Sequence, residues 1–451
     1  MISAMIPKTP LEDWIFSDIA AASEDGGRRT RSCIESYQFQ KIRDTLEKVC
    51  AASPFYRKRM ARVVPADFRS LADISLLPFT TAADIRGDHA LQFLCVSQSD
   101  VERCVTLQTS GTTGQAKRIF FSREDLERTE AFFHYGMSAL VHDGDRVMIL
   151  LPCDRPDGAG GLLGKALERM GLKSLPYGPL KDVRDAVDVI LQRDVTCLVG
   201  APIHVLAIAR SGDSAALLRS RLSGVLLTTD YVPRAVVDVL ERELNCPVYT
   251  HYGMTEMGWG GGVECRARQG CHLREADLYI EIVNPETGFP APDGVWGEIV
   301  VTTLTRVAAP LIRYRTGDIS RFLTTDCPCG AVLKRLDHRI YRLENMACLR
   351  SGALTGLPLL DEAFFPLPGV MDVQATLTTQ LNRDCLAVSL MLVPETDPDR
   401  TAQAAVQILM NIPEFRVAVD AGMLTLAPVR CICCSSIPTM QKRCLKRSII
   451  S

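Results

Sequence analysis

Three short stretches combine residue types that handle phosphate and ribose. The first is Thr109-Ser110-Gly111-Thr112-Thr113-Gly114-Gln115-Ala116-Lys117. Its glycines let the backbone turn N–H groups toward an anion, its hydroxyls add donors, and Lys117 adds positive charge. No Gly-Lys-Ser/Thr opens a helix here, so this is a phosphate cradle of a different kind from the Walker loop. A plain surface loop is the competing reading. The second stretch, Tyr249-Thr250-His251-Tyr252-Gly253-Met254-Thr255-Glu256, follows a strand pattern. In α/β sheets ligands bind beyond the C-terminal strand ends. There Tyr252 could stack on a base, while Thr255 and Glu256 offer oxygens to phosphate and Mg²⁺. The third is Arg313-Tyr314-Arg315-Thr316-Gly317-Asp318. A carboxylate after a tight glycine turn can take both hydroxyls of a ribose; an ordinary turn residue is the alternative.

A fourth constellation is Cys265, His272, Cys327 and Cys329. Two close pairs give four N/S ligands, a set suited to tetrahedral Zn²⁺ in a closed structural site. Cys271 competes with His272 for one position, and free thiols on two loops are the bland alternative. Cys431, Cys433, Cys434 and Cys444 have no histidine at useful spacing and read as strand packing.

The elements around these stretches are legible from periodicity. Residues 35–62 have helical spacing, with Ile42, Leu46 and Val49 on one face, and Ser53-Pro54 stops the helix. Residues 101–108 alternate as a strand, RIFFS resumes a strand after the first loop, and Ser122 caps a helix from Arg123 to about Leu140. From 143 to 255, apolar strands (147–152, 197–202, 224–229, 247–253) alternate with amphipathic helices (182–193, 233–245), which predicts a mostly parallel sheet covered on both faces. Residues 277–325 read as an antiparallel β region. Residues 340–351 are a candidate hinge, and the last hundred or so residues suit a small α+β lid.

Composition bounds the function. The 451 residues carry 51 Lys+Arg against 53 Asp+Glu, so no basic excess exists to hold a nucleic-acid backbone. Hydrophobic residues at 47% and charged residues at 23% describe an ordinary globular chain. No apolar run approaches the ~20 residues of a membrane span. The N-terminal stretch lacks a basic start and an apolar core, which predicts no secretory signal; with 17 cysteines this points to reduced thiols in the cytoplasm.

Taken in order, the three motifs resemble the adenylate-forming superfamily of acyl-CoA synthetases, within it the phenylacetate–CoA ligase-like branch. The matching residues are TSGTTGQAK, HYGMTE, GEIVVTTLTRVAAPLIRYRTGD and, more weakly, SPFYRKRM with LPFTTAADIR. The resemblance covers about residues 35–350. It implies ATP and AMP binding with Mg²⁺, a small-molecule carboxylic acid as substrate, coenzyme A as acceptor, an acyl-adenylate intermediate and structural Zn²⁺ on the Cys/His set. It places Tyr252 and Gly253 at adenine, Asp318 at ribose, Thr255 at the α-phosphate and Arg342 (or Arg339) near ribose or phosphate.

Several positions depart from the family pattern. Thr228-Thr229-Asp230 stands at the adenine-side strand end, so Thr229 and Asp230 are carried over as nucleotide contacts. Tyr341-Arg342-Leu343-Glu344-Asn345 stands at the hinge. Gln441 precedes the lysine assigned as catalytic, Lys442, with Lys446 second.

The expected architecture is α/β. A large multi-layer domain, 1–340, has mostly parallel sheets and a small β region; a small mobile α+β lid domain follows at 341–451. The expected activity is an AMP-forming acid–thiol ligase acting on an aryl or arylacetic acid. Delivery to a carrier protein or an amine, or a non-catalytic nucleotide binder, are the alternatives. No nucleic-acid or membrane partner is expected, and a homodimer is left open. Glycines 158, 160, 161, 260, 261 and 262 hint at close approach around a flat ligand.

Overall fold

The structure, a computed structural model, describes residues 6–22, 29–108, 115–212, 214–379, 383–434 and 443–449. It has two compact units. One comprises Met1–Asp143, Asp154–Leu172 and Thr250–His338; the other comprises Gly144–Cys153, Lys173–Tyr249 and Arg339–Ser451.

In the first unit, the helix Arg31–Ala52 buries Ile42, Leu46 and Val49, the face that their spacing marks. They join Tyr56, Phe93, Phe121, Leu126 and Tyr314 in one core. Ser53 ends this helix, and its hydroxyl accepts from the Tyr56 N–H (3.3 Å) to start the next, Pro54–Arg59. The sequence reading saw the stop but not the restart.

Ser122 caps the helix Arg123–Met137 through a reciprocal box. The Asp125 N–H donates to the Ser122 hydroxyl (3.2 Å) and the Ser122 N–H donates to the Asp125 carboxylate (2.9 Å). The helix is shorter than expected at its C-terminus. The buried Asp125 carboxylate also accepts from the N–H groups of Val307 (2.7 Å) and Ala308 (3.1 Å). One carboxylate thus starts the helix and pins a distant loop to it.

Two β features carry motif residues. The hairpin Arg103–Leu107 with Lys117–Phe121 is antiparallel, and Leu107 faces Lys117 across it. The strands Leu278–Val283, Gly297–Thr303 and Tyr314–Ser320 form the expected antiparallel region. In the last of these, strict alternation puts Tyr314, Thr316 and Asp318 on the buried face. Its entry is fixed by the fully buried Arg313, which pairs with Glu281 (3.0 and 3.1 Å) and donates to the carbonyls of Ser75 and Leu77 (both 2.9 Å).

In the second unit, the strands Arg146–Ile149, Lys173–Pro176, Cys197–Gly200 and Gly224–Leu227 pair in parallel, in the order Lys173, Arg146, Cys197, Gly224 by their first residues. The central ones are buried throughout, as continuous apolar strands in a covered parallel sheet should be. The helices Val183–Gln192 and Arg234–Leu244 lie where their periodicity put them, the latter closed by Asn245 in the left-handed region (φ 53°). A second sheet has Val370–Thr379 antiparallel to Asp384–Leu392, with Leu424–Leu426, Arg430–Cys433 and Lys446–Ile449 added in parallel. Between residues 340 and 351, read as unpatterned, short strands Tyr341–Arg342 and Met346–Cys348 flank a turn. No helix among the described residues is long and apolar enough to cross a membrane.

The Asp125 clamp generates a stability prediction. Asp125→Ala strips an acceptor from three backbone donors and should cost ~2–4 kcal/mol, against ~1 kcal/mol for Ser122→Ala. Urea unfolding measures both; equal costs would show that the loop does not depend on the carboxylate.

Candidate active site

The strand Val248–Tyr252 leads into a tight turn at Thr255–Met257 that carries Thr255 and Glu256. Glu256 is buried, and its Oε1 accepts from the Lys117 ammonium and from the Tyr314 hydroxyl (2.9 Å). Burial opposes ionisation of this carboxyl. The Lys117 charge and the hydrogen bonds from Lys117 and Tyr314 outweigh it and hold the group below the ordinary carboxylate range. Arg306 donates to the Glu256 carbonyl (3.3 Å), and its guanidinium lies over the Phe121 ring, 4.5 Å from the centroid.

The chain leaves this turn through Gly258 (φ 74°) and Trp259 (φ 60°). A tryptophan in the left-handed region costs on the order of 1–2 kcal/mol. Trp259 is held there by stacking on Phe121, centroids 4.6 Å apart. Gly253 is required by close backbone approach, since a β-carbon would lie 2.3 Å from the Trp259 carbonyl oxygen.

Asp318 lies one residue beyond Gly317 (φ 74°). Its carboxylate accepts from the Tyr252 hydroxyl (3.0 Å), and its own N–H donates to the Thr316 hydroxyl (3.0 Å). Lys117, Tyr252, Glu256 and Asp318, predicted from three separate motifs, all lie in the first unit and pair across motifs. They form two pairs, Lys117 with Glu256 and Tyr252 with Asp318; Tyr314 bonds Glu256 and lies on the same face of its strand as Asp318. Sequence reasoning gave Tyr314 no role. The signal was present in strand alternation, which puts residues four apart on one face.

In the second unit, Thr229 follows the strand Gly224–Leu227 in the left-handed region (φ 76°), and the Asp230 carboxylate accepts from the Tyr231 N–H (2.8 Å). Arg342 ends the short strand Tyr341–Arg342 and is half-buried. Thr109, Ser110, Gly111, Thr112, Thr113, Gly114 and Lys442 lie outside the described residues.

Cys265, His272, Cys327 and Cys329 are all buried in the first unit, with ligand atoms within 4.8 Å of one another. Cys265 Sγ is 3.6 Å from Cys327 Sγ, and Cys329 Sγ is 3.5 Å from His272 Nε2. A tetrahedral zinc with Zn–S near 2.3 Å puts its ligands ~3.5–3.8 Å apart, so the donor set fits the ion in number, type and spacing. Cys271 takes the other side of its strand and meets the Thr250 hydroxyl (3.5 Å), while His272 groups with the three cysteines. Ile6 and Ala331 pack against the cysteines, and Glu12 accepts from the Val332 N–H (2.6 Å), so the first helix, Pro10–Ala22, grips the loop that carries Cys327 and Cys329.

The glycine hint of a flat ligand is corrected. A β-carbon at Gly260 would meet the Phe132 ring at 2.2 Å, at Gly261 the Met257 sulfur at 2.8 Å, and at Gly161 the Arg155 carbonyl at 2.5 Å. These glycines make room for the protein's own packing.

His251 sits beside the rings of Phe132 and Phe133, its Nε2 shielded from solvent. Burial pushes its pKa down to about 4. The imidazole is neutral at pH 7, and its stabilising contribution is complete above ~6.5, its unfolded value, and lost as pH falls toward 4. His251→Gln should flatten unfolding free energy over that window by roughly 3 kcal/mol, a fall of ~2.5 pH units at ~1.36 kcal/mol each. Glu256, depressed in the fold, acts below ~4.3 and leaves this window clear. Urea titrations at several pH values test it; an unchanged slope would refute the assignment.

The family model of the AMP-binding enzymes matches residues 71–305, just over half of the chain. The phenylacetate-coenzyme A ligase of Thermus thermophilus is 29% identical over 335 residues, covering 71% of this chain and 73% of that protein. Its Escherichia coli counterpart is 29% identical over 330 residues, covering 70% and 73%. Among solved structures, 2-hydroxyisobutyryl-CoA ligase with an acyl-AMP aligns at TM-score 0.75 and 19% identity, covering 93% of this chain and 90% of that one; at such identity the likeness concerns the fold. The chain therefore belongs to the AMP-binding enzyme family, the adenylate-forming superfamily, in its phenylacetate–coenzyme A ligase-like branch.

Proposed function

We propose that this protein is an ATP-dependent carboxylic acid–coenzyme A ligase whose substrate is an aryl or arylacetic acid. In the first step a carboxylate oxygen bonds to the α-phosphorus of ATP while the α–β phosphoanhydride bond breaks and pyrophosphate leaves. In the second, the coenzyme A sulfur bonds to the acyl carbon, its proton passes to solvent, and AMP departs. The observation that carries the reading is that motif residues pair within one unit, Lys117 with Glu256 and Tyr252 with Asp318. The acyl acceptor and the aryl character follow the relatives' names.

The residues divide the work as follows. Asp318, oriented by the Tyr252 hydroxyl, takes the ribose hydroxyls, and the Tyr252 ring packs on adenine. Thr255 contacts the α-phosphate. Thr229, Asp230 and Arg342 border the nucleotide, and the loop of Thr109, Ser110, Gly111, Thr112, Thr113 and Gly114 cradles the phosphates. Glu256, held ionised, is fit to hold Mg²⁺, which supplies charge neutralisation on the phosphates. Lys117 then trades its carboxylate partner for phosphate oxygens. Lys442 serves the adenylation step from the last hundred residues, 341–451, the candidate moving part. A unit boundary does fall at His338 and Arg339, but the second unit also takes in Gly144–Cys153 and Lys173–Tyr249. None of the 17 cysteines is in a disulfide, and a reducing cytoplasm is the proposed location.

An acid panel including phenylacetate, benzoate and 2-hydroxyisobutyrate, scored for AMP with and without coenzyme A, tests the reading. Steady AMP release with phenylacetate that requires coenzyme A is expected. Pyrophosphate exchange without a thioester would indicate another acceptor, and no AMP from any acid an inert binder. Asp318→Ala should raise the KM for ATP by ~10-fold or more, the loss of charged hydrogen bonds to ribose.

Structural Zn²⁺ on Cys265, His272, Cys327 and Cys329 is the second part of the proposal. Purified protein should carry about one zinc per chain by elemental analysis, and Cys329→Ser should abolish it and lower the melting temperature. Zinc content unchanged in that variant would place the ion elsewhere.

A further inference from the structure

Arg306 is a costly residue for its place in the first unit. Its guanidinium is buried, and burial pulls its pKa below the ordinary arginine value against the opposing pull of the Asp125, Asp277 and Glu256 charges. It is also poorly paired. Nη2 donates to the Glu256 carbonyl (3.3 Å), and Nε lies 3.9 Å from the Asp125 carboxylate, beyond hydrogen-bond distance. Nη1 is buried with no hydrogen-bond partner among the described residues. A buried, half-satisfied charge is a poor device for stability, since a well-packed apolar side chain of similar volume commonly does as well or better. Its presence calls for another reason.

That reason lies in the groups at its two ends. At its base, the Asp125 carboxylate accepts from the Val307 and Ala308 N–H groups, so the main chain directly after Arg306 is fastened to the helix Arg123–Met137. At its tip is the carbonyl of Glu256, the residue whose carboxylate meets Lys117 and Tyr314. Inside the turn, the N–H groups of Met257 and Trp259 donate to the Met254 carbonyl and that of Gly258 to Thr255, while the Glu256 carbonyl takes Arg306. Thr129 of the same helix donates to the Gly258 carbonyl (3.1 Å). One helix therefore reaches the turn twice, directly through Thr129 and indirectly through Asp125 and Arg306. Every residue in this chain of contacts belongs to the first unit.

We propose that Arg306 is a positioning residue for adenylation: it fixes the main chain of Glu256, so that the carboxylate keeps its bearing when Lys117 leaves it for phosphate oxygens. With Lys117 engaged elsewhere, the Tyr314 hydroxyl steadies the carboxylate and Arg306 steadies the peptide that bears it. The inference rests on the roles given to Glu256 and Lys117 under the proposed function, and the experiment separates the two.

The test uses the full chain. Pyrophosphate exchange with ATP and phenylacetate (or the panel acid giving the fastest exchange) reports adenylation, calorimetry reports ATP affinity, and urea unfolding reports stability. Arg306→Met should slow exchange by about 10-fold or more, the loss of a hydrogen bond from a charged donor, with the KM and the calorimetric Kd for ATP nearly unchanged because Asp318 and Tyr252 are untouched. Its urea midpoint should stay level or rise, since Asp125 keeps its backbone donors at Ser122, Val307 and Ala308. Arg306→Lys keeps a charged donor and should recover part of the rate. Should Arg306→Met fail to fold, Arg306→Lys carries the test, and a smaller loss of exchange at unchanged ATP affinity is still expected. Glu256→Gln should also slow exchange. Stability and ATP affinity falling in step with exchange in the Arg306 variants would mark a purely structural arginine and overturn the proposal. Full exchange in Glu256→Gln overturns the reading of Glu256, and with it the role of Arg306. Slow exchange in Glu256→Gln with normal exchange in the folded Arg306 variants leaves that reading standing and refutes the anchor alone.

Discussion

The buried carboxylate of Glu256 is the point on which the first unit turns. An isolated ionised carboxylate is too costly to bury, and its neutral form would give up the charge that a cation needs. The chain resolves this by bringing an ammonium from a hairpin strand and a phenol from an antiparallel strand to the same oxygen. Three elements distant in sequence are thereby obliged to meet. The turn that carries Glu256 is further held by the Arg306 guanidinium on its carbonyl and by a tryptophan in a costly backbone conformation stacked on Phe121. Strain of this sort persists where surrounding packing over-determines it, commonly beside functional groups.

The same economy recurs around Asp125 and Asn345. Asp125 satisfies a helix start and a distant loop at once; Asn345 pairs with two backbone groups of the tail. Each replaces a stretch of regular secondary structure by one polar side chain that satisfies otherwise orphaned donors and acceptors. Such junctions are sensitive to single substitutions because no neighbour can take over the hydrogen bonds.

Much of this was legible in the residues. Helical spacing marked Ile42, Leu46 and Val49, the cap residue Ser122 announced its helix, and continuous apolar runs marked the parallel strands. The motif residues were readable because their chemistry is local: an acid after a glycine turn, a lysine after a hydroxyl loop. The partners were not. Tyr314 and Arg306 act on Glu256 across 58 and 50 residues, and no periodicity encodes such a meeting. The glycines at 260 and 261 misled for the same reason, since a missing side chain does not say whether a ligand or a phenylalanine fills the space. Cys271 against His272 could have been decided earlier by strand alternation had the short strand Cys271–Leu273 been recognised.

The loop bearing Cys327 and Cys329 is fastened twice, once by its proposed ion and once by Glu12 of the first helix, which holds the Val332 amide. The Glu12 carboxylate holds the Val332 main chain without any cysteine side chain, so the loop's backbone has an anchor that no thiol supplies.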